Sequence, residues 1–190
     1  DLAHVPNLDR GLHLAWEEGY VAVNAGFADA IVAELDAEPE AAVCFHDYHL
    51  YLAPRFVRTR RPDAALWHFV HIPWPEPDYW RVLPEAIRVA LHDGLLANDV
   101  VGFHTDRWRR NFLRSCADIV GADCNFVDCA AEYDTRRMLA TFHPISVDVA
   151  EFDELASSAE VLELEQELEA GRPEQLVLRV EADLAVVVDV

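Results

Sequence analysis

The chain has 190 residues, 52% of them hydrophobic and 26% charged, with 35 acidic against 15 basic residues and a formal charge of −20. That length suffices for one well-cored domain, or one domain and part of another. No apolar run approaches the ~20 residues that span a bilayer, the acidic start is unlike a signal peptide, and an acidic balance opposes nucleic-acid binding, so a membrane-free, cytoplasmic protein is the default expectation.

Trp16, Tyr20, Val23, Phe27 and Ile31 recur at helical spacing and predict a core-facing stripe on a helix reaching about Leu35. Pro39 closes that region. The run Ala42-Val43-Cys44-Phe45 then has the length and side chains of a buried strand. Residues 50–61 read as a helix with Arg58, Arg60 and Arg61 near its C-terminus, where cations complement the helix dipole, and Pro62 stops it. Residues 65–70 (Ala-Leu-Trp-His-Phe-Val) read as a second strand. The prolines of Pro73-Trp74-Pro75-Glu76-Pro77 forbid helix and central strand and predict a rigid loop.

Pro84 suits the first turn of a helix to about Leu96. Residues 100–103 read as a third strand, and Thr105 as the cap of a helix to about Val120 that buries Trp108, Phe112, Cys116 and Ile119. Residues 121–142 loosen into short extended pieces, with 138–142 the best strand. A glutamate-dense helix over 159–170 ends at Gly171 and Pro173, and residues 176–180 read as a fresh buried strand. Repeated βα units predict an α/β fold with a Rossmann-like, doubly wound, mostly parallel sheet.

Two composition features bear on chemistry. The chain contains no lysine, and twelve of its fifteen basic residues, all arginines, lie between 51 and 150, where they can serve a small phosphorylated ligand. Cys44, Cys116, Cys124 and Cys129 form no CxxC pair and are expected to be free, buried thiols rather than disulfides or a zinc site.

Polar clusters follow the predicted strands: His46-Asp47-Tyr48-His49, His71-Ile72-Pro73-Trp74-Pro75 and His104-Thr105-Asp106. Ligands of open α/β sheets bind at the carboxyl ends of strands, and neighbouring strands lie roughly 5 Å apart, so Asp47 and His71 are expected to face one small ligand. Asp47 offers a carboxylate to sugar hydroxyls, and His71 an imidazole that donates or accepts near neutral pH. Tyr48 and Trp74 add aromatic faces suited to a sugar ring. Two other readings stand beside this one: each residue merely caps a turn, or His46, His49 and His71 hold a metal, although their spacing fits no ligand pattern.

At these residues the chain resembles the trehalose-6-phosphate synthases, glycosyltransferases of the two-domain GT-B type. The resemblance rests on five stretches in order: His46-Asp47-Tyr48-His49-Leu50, His71-Ile72-Pro73-Trp74-Pro75, Val101-Gly102-Phe103-His104-Thr105, Asn111-Phe112-Leu113 and Pro144-Ile145-Ser146-Val147-Asp148. The helical pattern Trp16, Tyr20, Asn24 and Phe27 fits as well. The resemblance implies retaining transfer of glucose from UDP-glucose, a substrate rather than a cofactor, to glucose 6-phosphate. It assigns Asp47 to the acceptor sugar, His71 to the donor sugar near the reacting centre, and Tyr48 and the Trp74 loop to substrate binding. No metal or redox cofactor is implied.

The resemblance also implies a domain plan. Residues 1–150 correspond to part of an N-terminal, Rossmann-like acceptor-side domain, and 151–190 to an interdomain helix and the first strand of a donor-side domain. Members of the family place an arginine and a lysine after that strand to hold the donor diphosphate. Here Glu181-Ala182 follow it, and the lysine's place falls on Val187. The expectation is an incomplete member, inactive or weakly active, with exposed strand edges that favour homo-oligomers. The nearest alternatives are a pseudo-glycosyltransferase that joins cyclitols, sharing a loop like Pro75-Glu76-Pro77-Asp78-Tyr79-Trp80, and a non-catalytic sugar-phosphate-binding module.

Overall fold

A computed structural model describes residues 10–170 and the backbone of two strands, Leu176–Glu181 and Leu184–Asp189. The first segment is helical throughout: α1 Arg10–Leu14, a π-helix Ala15–Val21, and α2 Ala22–Ala37. A π-turn holds about one more residue than an α-turn, which rotates every later side chain about the axis. The buried face therefore runs from Trp16 and Tyr20 to Asn24, Ala28 and Leu35. Val23 and Phe27, expected in the stripe, are about half exposed.

Strand and helix then alternate. The order is β1 Ala42–His46, a short 3-10 turn Tyr48–Leu50, α3 Ala53–Arg60, β2 Ala65–Val70, α4 Pro77–Trp80, α5 Glu85–Leu96, β3 Val100–Phe103 and α6 Asp106–Val120. The Thr105 hydroxyl caps α6 by accepting the Trp108 N–H at 3.2 Å, and Gly121, at φ +68°, ends it in the left-handed conformation that glycine tolerates. The loosely patterned stretch forms β4 Asp123–Asn125, β5 Ala130–Tyr133 and β6 Arg136–Phe142. Asp134 and Thr135, both at positive φ, make the tight turn between β5 and β6.

These six strands form one mixed sheet in the order β1-β2-β3-β6-β5-β4. Strands β1, β2, β3 and β6 are parallel neighbours, and β5 is antiparallel to both β6 and β4. The α/β fold with a mostly parallel sheet is as expected. From β1 to β6 the order advances in one direction, so right-handed crossovers put the connecting helices on one face. That face buries Phe45, Leu66, Val70, Val101, Phe103, Met138 and Ala140. On the other face Cys44, Trp67 and Leu139 are exposed.

Two contacts fix the helical layer. Helix α5 approaches the α3 connection so closely that a Cβ on Gly94 would stand 2.0 Å from the Tyr51 carbonyl oxygen. The buried Arg58 of α3 donates to the carbonyls of Ala97 and Pro62, each at 3.0 Å, and to Asp99 at 3.0 Å. Asp99 also accepts from Arg136 and from the Leu66 N–H, tying together the amino ends of β2, β3 and β6. This ion-paired cluster closes the amino ends of the strands, whereas the polar clusters lie at their carboxyl ends.

The chain divides into two units between Pro144 and Ile145, slightly before the expected boundary at 150. The second unit has α7 Val149–Ala156, capped by Asp148, and α8 Ala159–Ala170, where Ser158 accepts the Val161 N–H. Its strands β7 Leu176–Glu181 and β8 Leu184–Asp189 pair antiparallel. The expected stop signals Gly171 and Pro173, and Ala182 between the strands, lie outside the described residues.

Candidate functional site

Because β1 and β2 run parallel with His46 opposite Phe69, their polar clusters emerge side by side. Asp47, the first residue beyond β1, has φ 59° and ψ −172°, a region that essentially only glycine occupies freely. Three bonds to the neighbouring strand and its extension hold it there. Its N–H donates to the Phe69 carbonyl at 2.8 Å, and its own carbonyl lies 2.9 Å from His68 Nε2. Its Oδ1 accepts the His71 N–H at 3.3 Å. The structure thus brings Asp47 and His71 together, and a carboxylate retains acceptor capacity beyond that one bond.

His71 belongs to a rim of imidazoles at the ends of four adjacent strands. His46 Nδ1 and His71 Nε2 are 3.0 Å apart, so one carries the hydrogen and the other accepts it. The His104 ring lies 5.3 Å from His71, and His143 follows the end of β6, 6.3 Å from the Phe69 ring. His46 and His143 line an open cavity of about 570 Å³ that extends along the exposed sheet face. His49 turns away and stacks on Tyr48 at 4.1 Å.

Tyr48 and Trp74 line a different cavity, about 480 Å³ and strongly apolar, with Trp16, Tyr20, Tyr51 and Trp80. Tyr48 is partly exposed, whereas Trp74 is only 2% exposed and shapes the cavity wall from within the core. Its indole N–H donates to Ser115 Oγ at 2.9 Å, and Ser115 is 3.0 Å from His92 Nε2. His92 Nδ1 faces the Arg88 carbonyl at 2.7 Å and must donate to it, so in a neutral His92 Nε2 is an acceptor that shares the one Ser115 hydroxyl hydrogen with the Phe112 carbonyl, 2.8 Å from Oγ. Burial holds His92 neutral by lowering its pKa to about 4.

The loop after β1 rests on α2. The buried Asn24 donates to the carbonyls of Tyr20 and His49, and its Oδ1 accepts the N–H groups of Leu52 and Ala53 at 3.0 and 2.9 Å. The Tyr20 hydroxyl donates to the Tyr48 carbonyl and accepts the Tyr51 N–H. Burial, partly offset by that last bond, raises the Tyr20 pKa to about 12. Sequence reasoning placed Tyr20 in a hydrophobic stripe, and a buried asparagine beside it was the available signal of a supporting role. It also missed His68, which interrupts the otherwise apolar β2, and His143, which follows the end of β6.

Among the described residues, most of the central arginines are committed to ion pairs; Arg107, in the first turn of α6, is outside them. Eleven of the twelve have a carboxylate within 4.0 Å, including Arg55 with Asp93, Arg58 with Asp99 and Arg81 with Asp118.

The chain is similar to known proteins over most of its length. The chain is 47% identical over 94 residues to a validamine 7-phosphate valienyltransferase of Streptomyces hygroscopicus, covering 50% of this chain and 19% of that protein. It is 33% identical over 178 residues to a trehalose-6-phosphate synthase of Mycolicibacterium gilvum, covering 89% of this chain and 35% of that one. Among solved structures, the Escherichia coli trehalose-6-phosphate protein bound with UDP-2-fluoro glucose superposes with a TM-score of 0.67 at 26% identity, over 82% of this chain and 34% of that chain. The chain thus spans about a third or less of the lengths of these relatives. Residues 2–186 match a family as a whole, which agrees with the parallel sheet and the polar strand ends: the chain belongs to glycosyltransferase family 20.

Proposed function

We propose that this chain carries the acceptor-side half of a retaining glucosyltransferase site that forms trehalose 6-phosphate from UDP-glucose and glucose 6-phosphate. The observation that carries this reading is Asp47, held in a strained backbone conformation at the end of β1 and bonded to the His71 amide. In this scheme the Asp47 carboxylate accepts hydrogen bonds from acceptor hydroxyls and fixes their orientation, which is where positional catalysis begins. His71 contacts the donor sugar, and Tyr48 and the Trp74 loop border the acceptor. The scheme uses no metal or redox cofactor.

Departure of the nucleoside diphosphate needs electrostatic stabilisation. The chain has no lysine, and its central arginines are largely committed to ion pairs. We therefore expect glucose 6-phosphate to bind while UDP-glucose is not turned over by this chain alone; trehalose 6-phosphate formation at rates typical of the family would refute that expectation.

Calorimetric titration of glucose 6-phosphate into the chain and into Asp47→Asn tests the assignment, asparagine being chosen because it tolerates positive φ better than alanine. Loss of a charge-assisted bond of about 1.5–3 kcal/mol should weaken binding at least tenfold. Equal binding by both proteins, or none by either, would remove Asp47 from the role. The 47% identity to the valienyltransferase supports a second reading, in which the acceptor is a phosphorylated aminocyclitol. Tighter binding of validamine 7-phosphate than of glucose 6-phosphate would favour it.

A further inference from the structure

Strand β2 contains one polar side chain on its helix-covered face. His68 is 2% exposed, with its ring stacked on Phe45 at 5.8 Å and tilted against Tyr51 at 5.3 Å. Its Nε2 lies 2.9 Å from the Asp47 carbonyl oxygen. A carbonyl can only accept, so Nε2 carries the hydrogen. Nδ1, buried without a partner among the described residues, is then the bare nitrogen of a neutral ring. Burial supports that state by lowering the His68 pKa to about 4; the bond to the Asp47 carbonyl opposes this, nearby His46 reinforces it, and the Asp47 carboxylate and His71 act in turn against and with it.

The bond matters because of what it holds. Asp47 has φ 59° and ψ −172°, which the chain would leave if released. Its N–H is anchored by the Phe69 carbonyl, a main-chain group that any sequence would supply. Among the described residues, its carbonyl is anchored only by the side chain at position 68. Both peptide groups of one strained residue are thus tied to the adjacent strand, and the rotation between them sets the direction of the carboxylate.

We propose that His68 is a positioning residue: its Nε2–H clamps the Asp47 carbonyl and holds the Asp47 carboxylate in its binding orientation at the strand ends. The consequence for ligand rests on the reading of Asp47 as the acceptor contact; the clamp itself does not. His68 does not touch the ligand and acts through Asp47.

The full chain is compared with His68→Phe, which keeps the packing and deletes the donor, and with His68→Gln, whose amide N–H reaches a similar place. His68→Phe should weaken glucose 6-phosphate binding about threefold to tenfold, the worth of one hydrogen bond, with its cooperative thermal unfolding retained, and His68→Gln should recover most of the loss. Wild-type affinity in His68→Phe, alongside lost affinity in Asp47→Asn, would overturn the proposal and leave the acceptor reading intact. Wild-type affinity in Asp47→Asn, or no binding by the unmodified chain, would defeat the acceptor reading instead. The clamp is then decided by NMR: altered Asp47 amide and carbonyl shifts with faster Asp47 amide exchange in His68→Phe support it, and unchanged ones overturn it. If His68→Phe does not fold, the 15N spectrum of His68 in the unmodified chain decides: an Nε2-protonated ring supports the clamp, and an Nδ1-protonated ring overturns it.

Discussion

Asp47 combines strain with exposure of a carboxylate, and these pull in opposite directions. A non-glycine residue in such a region costs on the order of 1–3 kcal/mol, against roughly 0.5–1 kcal/mol of chain entropy that glycine would add to the unfolded state. Asp47→Gly is therefore expected to raise stability by about 1 kcal/mol in urea unfolding while abolishing glucose 6-phosphate binding. A destabilised Asp47→Gly would show that the side-chain bond to the His71 amide outweighs the strain. Trp74 presents the reverse case. Ser115→Ala leaves the buried indole N–H without its acceptor and should destabilise by about 1–3 kcal/mol, measurable in the same experiment. Trp74→Phe in the Ser115→Ala background should recover part of that loss, since both partners of the bond are then gone.

At the scale of elements, the glycines of α2 and α5 have different uses. Gly94 stands where α5 meets the backbone near Tyr51, and a Cβ at 2.0 Å from a carbonyl oxygen cannot be absorbed by a side-chain rotation. Gly94→Ala should therefore cost about 3 kcal/mol, the upper range for overpacking. Gly26 in α2 has nothing within 4 Å of its missing Cβ, so Gly26→Ala should instead stabilise by about 0.5–1 kcal/mol through helix propensity. Opposite signs in urea midpoints are the expected result, and equal signs would contradict the packing. The π-turn over Ala15–Val21 acts at this scale too, because it decides that Asn24 rather than Val23 faces the loop after β1.

At the scale of the whole molecule, acid should unfold the chain through its buried imidazoles. His68 and His92 are held neutral, each lowered from 6.5 to about 4, first by burial. Between those values the unfolded chain binds a proton that the folded chain does not, so stability rises with pH there. The contribution is fully present above about pH 6.5, is lost as pH falls toward 4, and is on the order of 3 kcal/mol for each ring at most. Urea midpoints should drop between about pH 7 and pH 5, and His68→Phe should flatten that dependence. No change across this interval would mean that neither ring is kept neutral. No described helix is long and apolar enough to cross a membrane.

The amino-acid sequence by itself determined the alternation of strands and helices, because short β-branched runs, proline stops and the Thr105 cap are local signals. It also determined that Asp47 and His71 share one end of the sheet, since consecutive parallel strands must expose their following loops together. The tertiary structure alone decided which groups support them. Nothing local marks His68 as the clamp on Asp47, Asn24 as the acceptor for two distant N–H groups, or Ser115 as the partner of Trp74, because each bond joins residues far apart in the chain. Helical periodicity likewise misplaced Val23 and Phe27, since a single π-turn shifts the buried face without changing the residues that form it. Sequence pattern records what each segment prefers alone, whereas hydrogen-bond partners and strain at Asp47 arise only when separate segments share space.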